Sequence, residues 1–351
     1  MKTIHVGAVT WNVAEMAIEP PDIRAICGAL DVSNLDLVFV TAQELFALTL
    51  RTIAGASDPQ VVPDPLTERN AHVWDEAWGA ALGSEWRRLC AATVGAVRVN
   101  LFARERVADD VRDVDADVVA CGLAGLLVNK GAAGIRARVR DTTFVFVGAH
   151  LNAHAKRVQR RNADFRRIDS TLFLRKKSVD GGPAAPDADD DDDDTAQVRL
   201  SLSADAFAGW IADVMNLTDV PARRLVDAYD RVIFAGDLNY RLYVTDRDEF
   251  DQIYDPRQPT SLITFDELGD QIASKAAFEG YVEAPVDFPP TYKFDIGSHV
   301  YDTSKKRRVP SWTDRILFAP SGVAPYHYDA VRNITRSDHR PVVAKFAILV
   351  E

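Results

Sequence analysis

Five short segments of this 351-residue chain set chemically competent side chains beside apolar runs: TWN (10–12), TAQEL (41–45), GAHLNAH (148–154), FAGDLNYRL (234–242) and SDHRPV (337–342). Active sites of sheet proteins collect at such strand ends. Glu44 emerges from the apolar DLVFV, where a carboxylate is expensive unless paired or holding a metal. His150 and His154 stand four apart, a spacing zinc sites use, but no third zinc ligand accompanies them. Asp237 and Asn239 follow an apolar run and a glycine, and would project on the same side if the strand conformation continues. An acid and an amide so placed can hold and activate a water beside a metal-bound phosphate. His339 follows Asp338 just before the last apolar run, a usual device for phosphate chemistry. Singly, each has a plainer reading: Asn12 starts a turn, and Asp237 and Asn239 form an Asx turn. Together they supply carboxylate and amide oxygens without a thiolate, which suits Mg²⁺ better than zinc, and the His and Asp needed for water attack at phosphorus.

These groups must be positioned by a mixed scaffold. Strand-like runs rich in Val, Ile and Phe occupy residues 3–10, 36–41, 93–103, 135–140, 143–150, 231–236 and 341–349. Helical patterns fall at 155–176, 203–217, 247–254 and 262–277, which gives an α/β (α+β) class without internal repeats. Hydrophobic content of 47% is ample for a core. Cys27, Cys90 and Cys121 are scattered, with no CxxC, so they read as core residues in a reducing compartment. The N-terminus lacks a signal-peptide core, no apolar run reaches the ~20 residues of a membrane span, and the C-terminus has no prenylation cysteine. A cytoplasmic protein, peripheral at most to the cytosolic face of membranes, is expected.

Charge is unevenly placed. The formal net charge is −11, yet eight acids and no base lie in 178–197, six of them consecutive aspartates. That segment cannot bury enough apolar surface to order itself and reads as an acidic insertion in one domain spanning 1–351. The opposite extreme is KKRR (305–308), four consecutive cations before VPSWTDR. Such a run can be an address signal, a nucleic-acid patch, a solvated loop or a phosphate pocket. If the segment is extended, Lys306 and Arg308 share one face while Lys305 and Arg307 point away.

The ordered series Asn12, Glu44, His150, Asp237–Asn239, His339 resembles the Mg²⁺-dependent superfamily that includes pancreatic deoxyribonuclease, AP endonucleases and neutral sphingomyelinases. Within it the chain is most similar to the inositol polyphosphate 5-phosphatases, through NKG (129–131), RNADF (161–165), FEGYVEAP (278–285), FPPTYKFD (288–295) and YDTSKKRRVPSWTDRIL (301–317). The resemblance implies a DNase I-like four-layer α/β/β/α sandwich of two packed mixed sheets. It implies that Asn12 and Glu44 form the Mg²⁺ site and that Asp237 orients or deprotonates the attacking water. Asn239 would position the scissile phosphate. Asp314 would orient His339, and His150 would stabilise the transition state. Tyr292, Lys293, Lys306 and Arg308 would grip a neighbouring 4-phosphate, with Arg241, Asn129 and Lys130 lining the pocket. The loop after Asn12, GAHL in place of NSHL, and Val128 before NKG depart from the family pattern and bear on substrate fine-specificity. The implied activity is hydrolysis of the 5-phosphate of phosphatidylinositol 4,5-bisphosphate or related inositol polyphosphates. A monomeric catalytic domain standing alone is expected, with no nucleic-acid partner, and no protein partner is deducible from the sequence. A nuclease or other phosphodiesterase of the superfamily would need a basic face along a phosphodiester backbone. A catalytically silent phosphoinositide-binding protein would need a lost metal or water-activating residue, and Glu44, Asp237 and His339 are all present.

Overall fold

The computed structural model describes residues 1–47, 65–122, 127–174 and 223–351. The acidic segment 178–197 and the helix expected at 203–217 lie outside the described residues. Two six-stranded sheets form the centre. The first runs β11 (Val323–Ala330), β12 (Val342–Val350), β1 (Lys2–Asn12), β2 (Leu37–Gln43), β4 (Val97–Arg104), β3 (Trp86–Val94). The second runs β5 (Val111–Gly122), β6 (Leu127–Val139), β7 (Thr142–His150), β8 (Arg231–Asp237), β10 (Asp314–Phe318), β9 (Val282–Glu283). Each contains one parallel pair, β1 with β2 and β7 with β8, so both sheets are mixed.

The alternation of each strand explains the layers. Ile4, Val6, Phe39, Val99 and Leu101 of the first sheet meet Ile135, Phe144, Phe146, Ile233 and Ile316 of the second in one core. Phe39 stacks on Phe146 across it, with centroids 5.4 Å apart. The opposite face of β1 and β2 presents Val9, Val38 and Val40 to the helices Pro20–Leu30 and Pro65–Leu82, which contribute Ile23, Ile26, Leu30, Trp74 and Trp78. Val145, Val147, Val232 and Phe234 likewise face outward from the second sheet and are covered by Phe165, Ile168 and Leu268 from the helices Val158–Thr171 and Glu267–Ala273. The result is helix, sheet, sheet, helix.

Several expectations change. Residues 93–103 hold the end of β3, a tight turn with Gly95 at φ 53°, and most of β4, so the expected strand is interrupted by a hairpin turn. Residues 262–277 divide into a 3-10 segment, Pro259–Phe265, and the helix Glu267–Ala273, because the Asp266 carboxylate accepts from the Gly269 N–H and caps a new start. The helix in 155–176 is Val158–Thr171 after one 3-10 turn. The prolines after Asn12 open the helix Pro20–Leu30, in a first turn where no amide donor is missed.

Topology brings the polar strand ends together. In the parallel pairs Asn12 is in register with Gln43, and His150 with Asp237. Antiparallel β10 begins at the same edge, with Asp314 opposite Asp237. Gly236 permits this approach: a Cβ there would lie 2.0 Å from the Ala149 carbonyl oxygen. Gly236→Ala should therefore push β8 off β7 and cost about 1–3 kcal/mol. A lowered denaturant midpoint with unchanged slope would show it, and an unchanged midpoint would contradict the contact.

Candidate active site

The residues named from the sequence meet at this sheet edge around a cleft of about 190 Å³. Glu44, Lys130, His150, Asp237, Asn239, Arg241, Tyr292, Arg308 and His339 line it, together with Ala153, His154 and Asp338. Asn12 and Asp314 stand directly behind the lining. Asn12 Nδ2 donates to Asp237 Oδ2 at 3.0 Å, and its Oδ1 accepts from the Ala14 N–H. His150 Nε2 lies 3.3 Å from the same Asp237 oxygen. Burial opposes ionisation of Asp237, but the hydrogen bond and charge of His150, with His339 and Lys130, outweigh it and hold the carboxyl below the usual carboxylate range. Asp237 is therefore an ionised acceptor in a nearly closed setting.

β8 ends at Asp237, and Asn239 adopts φ 59°, so the extended conformation does not carry on through the pair. Asp237 Oδ1 accepts the Asn239 N–H, an Asx-type turn, and both side chains still reach the cleft. Asn239 Nδ2 donates to the Leu151 carbonyl, and Arg241 Nη2 donates to Asn239 Oδ1 at 2.6 Å.

On the other wall His339 Nδ1 donates to Asp314 Oδ2 at 2.9 Å. The hydroxyls of Thr291 and Thr313 donate to that same oxygen, which fixes the carboxylate and so the ring. Burial alone would depress His339, but Asp314, with Asp237 and Asp338, pushes it up to about 9. A histidine raised in the folded state contributes stability that is complete below its unfolded value near 6.5 and lost as pH rises through about 9, here on the order of 3 kcal/mol. For metal-free protein, the melting-temperature advantage of wild type over His339→Asn should shrink between pH 7 and 10. An advantage independent of pH would contradict the raised value.

Tyr292 is bridged to Ser311 on one side and His339 on the other, and its ring lies 4.4 Å from the imidazole. The Arg241 guanidinium covers that ring at 4.7 Å. Lys293 points instead to Asp338, with Nζ 2.5 Å from Oδ2. Lys130 Nζ lies against the His150 ring, and burial lowers the lysine from its ordinary value. His154 is depressed as well, by burial first and then by Arg157, Arg308, Arg241 and Lys130. The cleft thus carries both signs, with Lys130, Arg241 and Arg308 beside Glu44, Asp237 and Asp338. Asn129 lies in β6.

The cationic run is not extended. It turns at Lys305 and Lys306, both exposed, and Arg307 adopts φ 36°. Arg307 pairs with Asp248 at 2.7 Å and Asp251 at 3.4 Å on the helix Arg247–Ile253. Arg308 alone of the four lines the cleft, its N–H donating to Asp302 Oδ2. Asp338 was not singled out as a site residue from sequence, although an acid flanking His339 was the available signal.

A family model described as endonuclease/exonuclease/phosphatase family 2 matches residues 9–345. The chain belongs to this family. Its relatives include the type I inositol polyphosphate 5-phosphatase 13 of Arabidopsis thaliana, 31% identical over 96% of this chain and 30% of the relative. A phosphatidylinositol 4,5-bisphosphate 5-phosphatase of Saccharomyces cerevisiae is 29% identical over 98% of this chain and 31% of its own length. This family 2 chain therefore spans less than a third of these curated relatives. Its fold is like that of the inositol polyphosphate 5-phosphatase domain of SpSynaptojanin, solved with inositol (1,4)-bisphosphate and calcium ion. The TM-score is 0.73 at 24% identity, covering 99% of this chain and 84% of that one. The buried group Asp237, Asp314 and His339 also brings potential ligand atoms within 4.8 Å of one another, a set able to hold a divalent cation when His339 is deprotonated.

Proposed function

We propose that the chain is a Mg²⁺-dependent phosphatase that removes the 5-phosphate of phosphatidylinositol 4,5-bisphosphate or related inositol polyphosphates. The observation that carries this is an ionised Asp237, held by Asn12 and His150, at the base of a cleft walled by Lys130, Arg241 and Arg308. A phosphate-rich, compact substrate suits that distribution. The names of the relatives support the inositol phosphate class.

The donors fit a hard cation. The Glu44 side chain is 41% exposed and faces the cleft, its carboxylate taking no hydrogen bond among the described residues. With Asn12 it offers the oxygen set Mg²⁺ prefers. When bound, the ion would supply Lewis acidity at the phosphoryl group. The chain's own residues do the rest. Asp237, too acidic to store a proton for long, orients the attacking water and takes up its proton transiently. The new P–O bond forms as the P–O bond to the inositol 5-oxygen breaks, the departing oxygen collecting a proton from solvent. His339, protonated near neutral pH and steered by Asp314, stabilises charge on the phosphoryl oxygens, and His150 does so beside Asp237. Asn239 fixes the Arg241 fork against Tyr292, which sets where a phosphate is met. Tyr292, Lys293, Lys306 and Arg308 serve a vicinal 4-phosphate, with Asn129 and Lys130 completing the pocket.

In this reading the protein is a cytosolic monomer that touches membranes only peripherally, through its lipid substrate. Among the described residues no helix is long and apolar enough to cross a membrane. Side-by-side measurement of inorganic phosphate released from inositol 1,4,5-trisphosphate and nicking of supercoiled plasmid tests the reading. Phosphate release without nicking is expected; nicking without phosphate release would assign a nuclease.

A further inference from the structure

The ends of β7 and β8 with the loops that follow them, through His154 and Arg241, supply half of the residues lining the cleft. A buried ion pair joins them. Arg161, fully buried on the helix Val158–Thr171, donates from Nη1 to the His154 carbonyl at 2.7 Å and from Nη2 to Glu267 Oε2. Glu267, 4% exposed, accepts the Arg241 N–H on that same oxygen at 3.2 Å, and its own N–H donates to the Arg241 carbonyl at 2.9 Å. One residue therefore grips Arg241 on both sides of its backbone while its ion-pair partner grips His154.

We infer that Arg161 and Glu267 are positioning residues that set the substrate phosphate through Arg241 and His154; this rests on the phosphatase reading above. A buried ion pair is a weak source of stability, since desolvation offsets most of its attraction. Its distinctive contribution here is directional. The planar guanidinium, stacked 5.1 Å from the centre of the Tyr240 ring, presents a rigid fork that lysine lacks. Its Nη atoms serve the two loops, while Nε has no partner among the described residues. Downstream, the Arg241 guanidinium is aimed by Asn239 and Tyr292, so a shift of its backbone moves a phosphate-facing charge.

The test is a double-mutant cycle in the full chain with inositol 1,4,5-trisphosphate. Glu267→Gln keeps the size of the side chain but removes the charge that draws Arg161. It should raise KM about tenfold with kcat within about threefold, and should add less than about twofold in an Arg241→Ala background. Wild-type KM in the folded variant, or equal losses in both backgrounds, would overturn the inference. If Glu267→Gln does not fold, Arg161→Lys carries the same comparison, since it keeps the charge and loses the fork. Should wild type release no phosphate from any inositol phosphate, the phosphatase reading fails by itself. The pair is then judged by calorimetric affinity for inorganic phosphate. Weakening by Glu267→Gln that does not add to that of Arg241→Ala sustains it, and unchanged affinity overturns it.

Discussion

Asp237→Ala is expected to lower kcat by at least ~10²–10⁴-fold, and Glu44→Ala by a similar factor, with the fold retained. The two losses have different physical origins. Asp237 gathers Asn12 Nδ2, the Asn239 N–H and His150 around one ionised carboxylate, so its removal takes away the acceptor for the attacking water and leaves those donors without a partner. Glu44 is exposed to the cleft and takes no hydrogen bond from these groups, although its Oε1 lies 3.7 Å from His150 Nε2, so its removal should preserve the architecture and weaken the cation site. Raising the Mg²⁺ concentration should accordingly recover part of the activity of Glu44→Ala and none of that of Asp237→Ala. Near wild-type turnover of both variants at saturating substrate would show that the site has been wrongly assigned.

Arg308→Ala is expected to lower kcat/KM at least ~10-fold for substrates that carry a 4-phosphate, because a charge-assisted phosphate contact is worth ~1.5–3 kcal/mol. Loss should be much smaller for a substrate lacking that group. Lys306→Ala is expected to follow Arg308→Ala, as the family pattern implies. Lys305→Ala, at a position the family pattern does not assign to the phosphate, should be mild with either substrate. Arg307→Ala should spare catalysis for a different reason, its guanidinium being committed to Asp248 and Asp251. Breaking that half-exposed pair should change stability by no more than about 1 kcal/mol. Equal losses at all four cations, or a loss indifferent to the 4-phosphate, would reduce the run to a general basic patch.

What could be read from the sequence depended on how local its cause was. β1, β2, β7, β8 and β12 carry apolar runs buried on both faces, and their polar termini Asn12, His150 and Asp237 were legible as strand ends. β5, VRDVDADVVACG, and β11, VAPYHYDA, alternate apolar with charged or polar residues and lie at sheet edges, so their apolar patterns are too weak to mark them as strands. Asn239 and Arg307 defeated a periodicity argument because each sits at positive φ, where side-chain alternation ceases to apply. The convergence of Asn12 on Asp237, 225 positions apart, follows from strand register in two sheets and was reached only through family resemblance. Arg161 and Glu267 gave no chemical signal of their own. A lone Arg and a lone Glu read as surface residues until tertiary packing buries them together.

The most direct test of the central claim is the identity of the product. Purified protein would be given inositol 1,4,5-trisphosphate and, separately, vesicles containing phosphatidylinositol 4,5-bisphosphate, with Mg²⁺ present, chelated and then restored. The account predicts inorganic phosphate together with a product that keeps its 4-phosphate and has lost its 5-phosphate, activity that vanishes on chelation, and recovery on adding Mg²⁺. Removal of a different phosphate, or release that survives chelation, would contradict it.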